Sequence, residues 1–433
     1  MAEKVLILGL SKSGIAAAKF AVSKGYDVYV TEKKNEVNLE QVKELQNLGV
    51  KIEHGSHSEE FISGASFAIT SPGIPPKSEI FRRLNEKNIK IISEVEFAYL
   101  NTKTPFIAIT GTNGKTTTTA LVSHILSKKF SAPVCGNIGV PPTSLIEENH
   151  DFLVCEISSY QAQMTEKFKA KIACWTNFTP DHIDWHGGLE NYFNAKAKIF
   201  LPPQEPEFAI LNAQDTKLKE FSKQCQNVIF FDDGNDCGIK NNSIFYKGEE
   251  IISLKDCPLV GHHNYQNIMC GIIIAKLVGM NNSDIREQIM SFRAPEHRLE
   301  KVREMDGITF FNDSKATNPE ASIVAIDSFN NQNVALILGG RDKNTDLTEM
   351  CHSINKHIKT VLLIGEATER FEENLKKNGF SNIIKEHTME DAIDKAISLK
   401  PDVVLLSPAC ASFDMFKSYE HRGEVFKDYV LSK

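Results

Sequence analysis

Residues 106–118, Phe-Ile-Ala-Ile-Thr-Gly-Thr-Asn-Gly-Lys-Thr-Thr-Thr, constrain the fold more than any other stretch of the chain. An apolar β-rich run, Phe106 to Ile109, enters a Gly-Thr-Asn-Gly turn that opens a helix expected over 116–128. Glycines let such a turn curl so that successive N–H groups converge on an anion, and the helix N-terminus adds partial positive charge. Lys115 can then reach the terminal phosphates of a nucleotide, and the Thr116 hydroxyl can ligate Mg²⁺. The usual spacing places a glycine five residues before Gly114, where this chain has Ile109. A capped strand-to-helix turn with no ligand is the alternative. Strand, turn, Gly-Lys-Thr and helix nevertheless arrive in the required order, so the stretch predicts binding of ATP or GTP.

The rest of the chain fits that architecture. At 433 residues, 41% hydrophobic and 24% charged, it has room for about three α/β cores. Net charge is −7 with both signs interspersed, which favours a small-molecule substrate over nucleic acid. Nine cysteines are scattered without a C-x-x-C pair, so buried reduced thiols are expected rather than disulfides or a zinc site. The first apolar run, Val5 to Leu10, is too short for a signal sequence, and no run reaches the ~18 residues of a membrane span. A cytoplasmic monomer without membrane insertion is expected.

Three segments follow. The first, about 1–101, begins strand–turn–helix at Val5–Gly14, and a second strand from Asp27 ends on Glu32, half of a Rossmann-type unit. Ser11 replaces the middle glycine of that fingerprint, leaving open a dinucleotide, another nucleotide or a structural turn. Phe67–Pro76 reads as a strand ending in a rigid Ser-Pro-Gly-Ile-Pro-Pro loop. The second segment, about 102–295, alternates strands at 152–157, 172–177 and 208–211 with helices, as in a mostly parallel sheet covered on both faces. Residues 234–256 form a short β excursion turning at Gly248. The third, about 296–433, repeats the alternation with strands at 308–312, 334–339, 361–364 and 403–407. Their carboxyl ends carry Asp313-Ser-Lys, Gly340-Arg-Asp-Lys, Gly365-Glu and Pro408-Ala-Cys-Ala-Ser, where ligands gather in open parallel sheets. The expected fold is therefore α/β in three domains: Rossmann-like, phosphate-loop ATPase-like, and Rossmann-like again.

Several side chains stand where chemistry is expected. Glu156 ends a strand one strand away from the phosphate loop, the position of a Mg²⁺-binding acid or of a solvated strand-end carboxylate. Asp181, His182, Asp184 and His186 cluster, but no Glu follows the first histidine, so a single histidine assisting Mg²⁺ fits better than zinc. Lys196 and Lys198 are two apart on a helix over 192–200 and point to different faces. Either both are surface lysines, or one is desolvated, loses its proton and acts as nucleophile or reacts with CO₂. Lys315 and Lys343 follow two strands of the last segment, and Arg298 is a candidate phosphate clamp.

Together these motifs resemble the Mur ligase superfamily, ATP-dependent enzymes that join an amino acid to a carboxylate. The strings are Thr110–Thr117, Gly136-Asn-Ile-Gly139, Glu156-Ile-Ser-Ser159, Thr176-Asn with Asp181-His182, and Gly261–Asn267. To these add Glu296-His-Arg298, Asn312–Asn318 and Ser407–Ser412, in order along nearly the whole chain. The Asn312–Asn318 and Ser407–Asp414 strings are similar to the branch that adds D-glutamate to UDP-N-acetylmuramoyl-L-alanine. The Asp-Asn-Pro-Arg string of the diamino-acid branch is absent, as is the Gly-Lys-Gly of folate-polyglutamate ligases. A non-enzymatic nucleotide switch would have no use for the third-segment lysines.

The resemblance implies domains at 1–101, 102–295 and 296–433, holding the UDP substrate, ATP and the incoming amino acid. Ser11, Lys12, Glu32, Ser71, Pro72 and Gly73 would take the UDP end, with Asn137 and His182 on the muramoyl–alanine part. Gly111, Thr112, Asn113, Gly114, Lys115, Thr116 and Thr117 would cradle ATP phosphates, joined by Asn267, Arg298 and Asp313. Thr116, Glu156 and His182 would bind two Mg²⁺ ions, with Lys196 as a metal-ligating carbamate; Lys115, His182 and Lys196 are the catalytic set. Lys315, Thr317, Lys343, Ser412, Phe413 and Tyr419 would grip D-glutamate. The chain departs from the family at Gln214, where members often carry Asp, and Arg341 falls in a variable loop.

Overall fold

The computed structural model describes residues 2–181, 183–259, 261–293, 296–329, 332–342 and 344–433. The chain divides into two compact units, Met1–Cys257 with Gln266–Phe292, and Pro258–Tyr265 with Arg293–Lys433.

The first unit holds two sheets. One contains β1 (Lys4–Leu8), β2 (Asp27–Glu32), β3 (Lys51–His54), β4 (Phe67–Thr70) and β5 (Lys90–Ser93), all parallel in the order β3-β2-β1-β4-β5. The other contains β6 (Phe106–Thr110), β7 (Val134–Gly136), β8 (Leu153–Glu156), β9 (Ile172–Trp175), β10 (Phe208–Asn212), β11 (Val228–Phe231), β12 (Cys237–Lys240), β13 (Ser243–Tyr246) and β14 (Glu249–Ser253). Its order is β14-β13-β12-β11-β10-β9-β6-β8-β7, parallel up to β12 and antiparallel through the final hairpins. Gly248, at φ 84°, makes the last turn, as expected for the β excursion.

The second unit carries β15 (Glu300–Met305), β16 (Ile308–Asn312), β17 (Val334–Gly339), β18 (Thr360–Ile364), β19 (Ile383–Lys385) and β20 (Val403–Leu406). Here the order is β15-β16-β20-β17-β18-β19, parallel except for the β15–β16 hairpin.

The expected α/β architecture with three mainly parallel sheets is therefore present, and the apolar runs explain it. Every residue of β6 and β17 is buried, because helices cover both faces and leave no side for polar residues. The expected strands at 308–312 and 334–339 match β16 and β17 to the residue. Edge strands β7, β15 and β19 were not anticipated; β15 (Glu-Lys-Val-Arg-Glu-Met) is largely charged and pairs on one side only.

Within the first unit, one short helix ties the two sheets together. Glu94–Leu100 follows β5 directly and buries two carboxylates. Glu94 accepts from the Thr143 N–H at 2.7 Å and its hydroxyl at 2.6 Å. Glu96 accepts from the backbone N–H groups of Glu166, Lys167 and Phe168 at 2.8–3.0 Å. The two loops so held flank β8 on either side in sequence. Burial pushes the Glu94 carboxyl up to about 7 against the pull of the Thr143 donors. A raised carboxyl favours the protonated folded state, so its contribution is full below the unfolded value near 4.5 and is lost as pH rises to about 7. The Glu94→Gln variant should therefore gain on the parent as pH rises from 5 to 8, read as a melting-temperature difference that widens by a few degrees. A difference independent of pH would contradict the assignment.

Candidate active site

The turn after β6 is fixed by partners from β9 and beyond. Gly111, at φ 145°, has no room for a Cβ, which would run into the Thr176 hydroxyl. Gly114, at φ 81°, serves as the N-cap of the helix Lys115–Leu126, and a Cβ there would lie 2.6 Å from Asn267 Oδ1. Asn177 accepts from Thr112 N–H through its carbonyl and from Asn113 N–H through its side chain, and returns its own amide to Asn113 O at 3.1 Å. Thr176 Oγ1 donates to the same carbonyl at 2.6 Å. Asn267 Oδ1 accepts from Thr118 at 3.0 Å, tying the helix His262–Leu277 to the cradle. The sequence places this loop; Thr176, Asn177 and Asn267 give it one shape.

Two lysines converge on it. Lys115 Nζ donates to Gly111 O at 2.9 Å and Thr112 O at 2.7 Å. Lys196, 1% exposed on the helix Leu189–Ala197, donates to the same Gly111 carbonyl at 2.7 Å. Burial first, and then the charge of Lys115, hold the Lys196 amine well below the usual lysine range, opposed by Asp181 and Glu156. Lys198 instead turns to the Gln163 carbonyl at 2.9 Å, so the expected divergence of the two lysines holds.

Glu156 pairs with Ile109 in the register of β6 and β8 and is buried. Its Oε1 accepts from Asn137 Nδ2 at 2.8 Å, while Oε2 has no hydrogen-bond partner among the described residues. A buried carboxylate oxygen without a donor beside the Thr116 helix start suits a hard cation. His186 is not part of that set: it bonds Ser159 Oγ at 3.0 Å and stacks on Tyr160. Tyr192, which the sequence did not flag, meets Thr112 Oγ1 at 3.1 Å.

At the carboxyl end of β1 lies a cavity of about 710 Å³ lined by Gly9, Ser11, Glu32, Lys33, Lys34, His57 and the Ser71–Pro75 loop, among others. Ser11 Oγ donates to Ser71 Oγ at 2.8 Å, so the residue that broke the dinucleotide pattern joins the first helix to the Ser-Pro-Gly loop. Glu32 accepts from Leu10 N–H and Lys34 N–H, both at 3.0 Å. Lys12 is exposed and does not line the cavity.

In the second unit, Asp313 is buried at the end of β16 and accepts from Leu299 N–H at 3.1 Å and Ser407 Oγ at 2.8 Å. Burial pushes its carboxyl up to about 7 against Arg298 and Ser407. His297 and Leu299 take positive φ on either side of Arg298, whose charge acts on this carboxylate. The Lys315 ammonium sits 5.7 Å from the Tyr419 ring, Ser412 is buried and Phe413 is exposed. Arg422, 1% exposed, donates to Ser314 O and Oγ and to Cys410 O at 2.8–3.1 Å, holding together the loops that carry Lys315 and Ser412. Sequence reasoning missed it; its only signal is an arginine on the apolar side of the final helix. His182 and Lys343 lie outside the described residues.

The chain is similar to known proteins along nearly its whole length. Family models match for a Mur ligase MurD-like N-terminal domain over residues 3–93, a Mur ligase middle domain over 109–275 and a Mur ligase glutamate ligase domain over 297–410. The chain is 37% identical to the UDP-N-acetylmuramoylalanine–D-glutamate ligase of Caldanaerobacter subterraneus, covering 99% of this chain and 98% of that one. It is 36% identical to the ligase of the same name from Bacillus cytotoxicus, covering 98% and 96%. Among solved structures, the UDP-N-acetylmuramate–alanine ligase of Thermotoga maritima aligns with a TM-score of 0.62 at 20% identity, over 99% and 100% of the two chains. MurF of Acinetobacter baumannii aligns at 0.63 and 17% identity, over 99% and 93%. The chain belongs to the Mur ligase family, in its UDP-N-acetylmuramoylalanine–D-glutamate ligase branch.

Proposed function

We propose that this chain joins D-glutamate to the alanyl carboxylate of UDP-N-acetylmuramoyl-L-alanine at the expense of ATP, in the cytoplasmic assembly of peptidoglycan precursors. The observation that carries the mechanism is the convergence of Lys115 and Lys196 on Gly111 O, near a buried Glu156 oxygen that lacks a donor among the described residues. A carboxylate is a poor electrophile until its oxygen becomes a phosphate leaving group. The Gly111–Thr117 turn would hold the ATP phosphates and Lys115 the transferred one, giving an acyl phosphate. The D-glutamate amine attacks this, and phosphate leaves from the tetrahedral intermediate. Bound Mg²⁺ would supply charge neutralisation at the phosphates, held by Thr116, Glu156 and, by family resemblance, His182.

Lys196, held as a neutral amine, would add to CO₂ with loss of a proton, forming an anionic carbamate that also ligates metal. Asn137, through Glu156, would join the sugar-peptide portion to the metal side. Asn267, Arg298 and Asp313 would bind ATP. Lys315, Thr317, Lys343, Ser412, Phe413 and Tyr419 would recognise D-glutamate, Arg422 positioning their loops. The 1–101 cavity would hold UDP, completing domains at 1–101, 102–295 and 296–433.

Phosphate release measured with UDP-N-acetylmuramoyl-L-alanine and single amino acids tests the substrate assignment. Turnover with D-glutamate is expected; turnover only with a different acceptor would refute it. Lys115→Ala should lose about 10²–10³ in kcat, because one charge stabilising a transferred group supplies ~3–4 kcal/mol. A near-normal rate would remove Lys115 from the phosphoryl-transfer step.

A further inference from the structure

The loop after β17 carries Lys343 in sequence, and it is held on both sides of that position by a residue that none of the family strings includes. The root of the loop is fixed by backbone. Arg341 N–H donates to Ala411 O at 2.8 Å, and Gly340 O accepts from Ala367 N–H at 2.9 Å. Gly340 takes φ 135°, and a Cβ there would lie 2.3 Å from Ala411 O. Past Arg341 the chain leaves the sheet, and side chains take over.

Arg370 stands in the first turn of the helix Thr368–Lys377, which follows β18. All three of its guanidinium nitrogens donate to the loop. Nε and Nη2 meet the two oxygens of Asp342, Nη2 reaching Oδ1 at 2.8 Å, and Nη1 donates to Thr345 O at 3.1 Å. Asp342 Oδ1 also accepts from Asn344 N–H at 2.9 Å, closing a short turn in which Asn344 takes φ 53°. One carboxylate thus shapes the turn and anchors it to the helix.

A planar guanidinium that meets a carboxylate with two parallel bonds fixes direction as well as distance. The Asp342 side chain is 15% exposed and that of Arg370 28%, so the pair is partly shielded from water. The neighbouring Arg341–Glu366 pair is more than half exposed on both sides, and a pair of that kind holds little. The Arg370 fork is therefore the side-chain contact that sets this loop.

A lysine reaches its partner on a flexible four-carbon stem, so its effectiveness depends on how firmly its backbone is held. Resting on the assignment of Lys343 to D-glutamate, we infer that Arg370 is a positioning residue for the acceptor: through Asp342 and Thr345 it fixes the turn from which Lys343 takes a D-glutamate carboxylate. Without the clasp, binding of D-glutamate must also order the loop, and that cost falls on this substrate alone. Loss of the clasp is thus read in the KM for D-glutamate rather than in turnover at saturation.

The test uses the full chain and phosphate release, with each of the three substrates varied in turn. Arg370→Met keeps an apolar stem but no donor. It should raise the KM for D-glutamate at least about tenfold, with the KM values for ATP and the UDP substrate, and kcat at saturating D-glutamate, changed far less. Asp342→Asn keeps an acceptor for Asn344 N–H but sets an amide against the guanidinium; it should give the same split, and serves if Arg370→Met does not fold. Because Arg370 acts through Lys343, adding Arg370→Met to Lys343→Ala should raise the KM for D-glutamate no further. A rise shared equally by all three KM values, an unchanged KM for D-glutamate, or the full penalty persisting in the Lys343→Ala background overturns the inference while leaving the substrate assignment standing. An unchanged KM for D-glutamate in Lys343→Ala itself overturns the assignment of this loop, and the inference with it.

Discussion

Everything proposed for the ATP-binding half depends on one backbone carbonyl, that of Gly111. It accepts from the Nζ atoms of two lysines at 2.9 and 2.7 Å, and one of those lysines is 1% exposed. Two ammonium charges on one oxygen in a dry site would repel, and the electrostatic cost would rise as water is excluded. In the proposed reading the arrangement is relieved when Lys196 gives up its proton, leaving Lys115 its charge for the phosphates. Burial and the neighbouring Lys115 both act on Lys196 in that direction. Glu156, with one oxygen on Asn137 and one without a donor among the described residues, sits on the adjoining strand, where it would receive the cation proposed to balance the phosphates.

That carbonyl is aimed by a backbone conformation that glycine permits and that the fold supports elsewhere. Gly111 adopts φ 145°, which an L side chain would resist, and Thr176 fills the space where a Cβ would stand. Thr176 and Asn177 follow the buried strand β9, whose register against β6 fixes where they meet the turn. Beyond the sheet, Glu94 and Glu96 grip the loops before and after β8. The acidic helix between the two sheets of the first unit thus helps to fix the segments around Glu156.

Much of this was legible before any coordinates, and the reason is local. A buried parallel strand is a continuous apolar run, so β16 and β17 could be read to the residue, and Gly114-Lys-Thr marks a helix start wherever it follows such a run. What could not be read depends on partners far away in the chain. Glu94 meets a residue 49 positions on, Lys196 one 85 positions back, and Arg422 one 108 positions back. No periodicity encodes such meetings. Ser11 read as a defect in a dinucleotide pattern until its bond to Ser71, 60 residues later, gave it a structural role.

The central claim is that Lys196 is held as a neutral amine and therefore takes up CO₂. Carbon-13 NMR of the protein in labelled bicarbonate measures this directly. One carbamate resonance per chain is expected at neutral pH, absent from Lys196→Arg and retained in Lys198→Arg. No such resonance, or one that survives Lys196→Arg, would contradict the account.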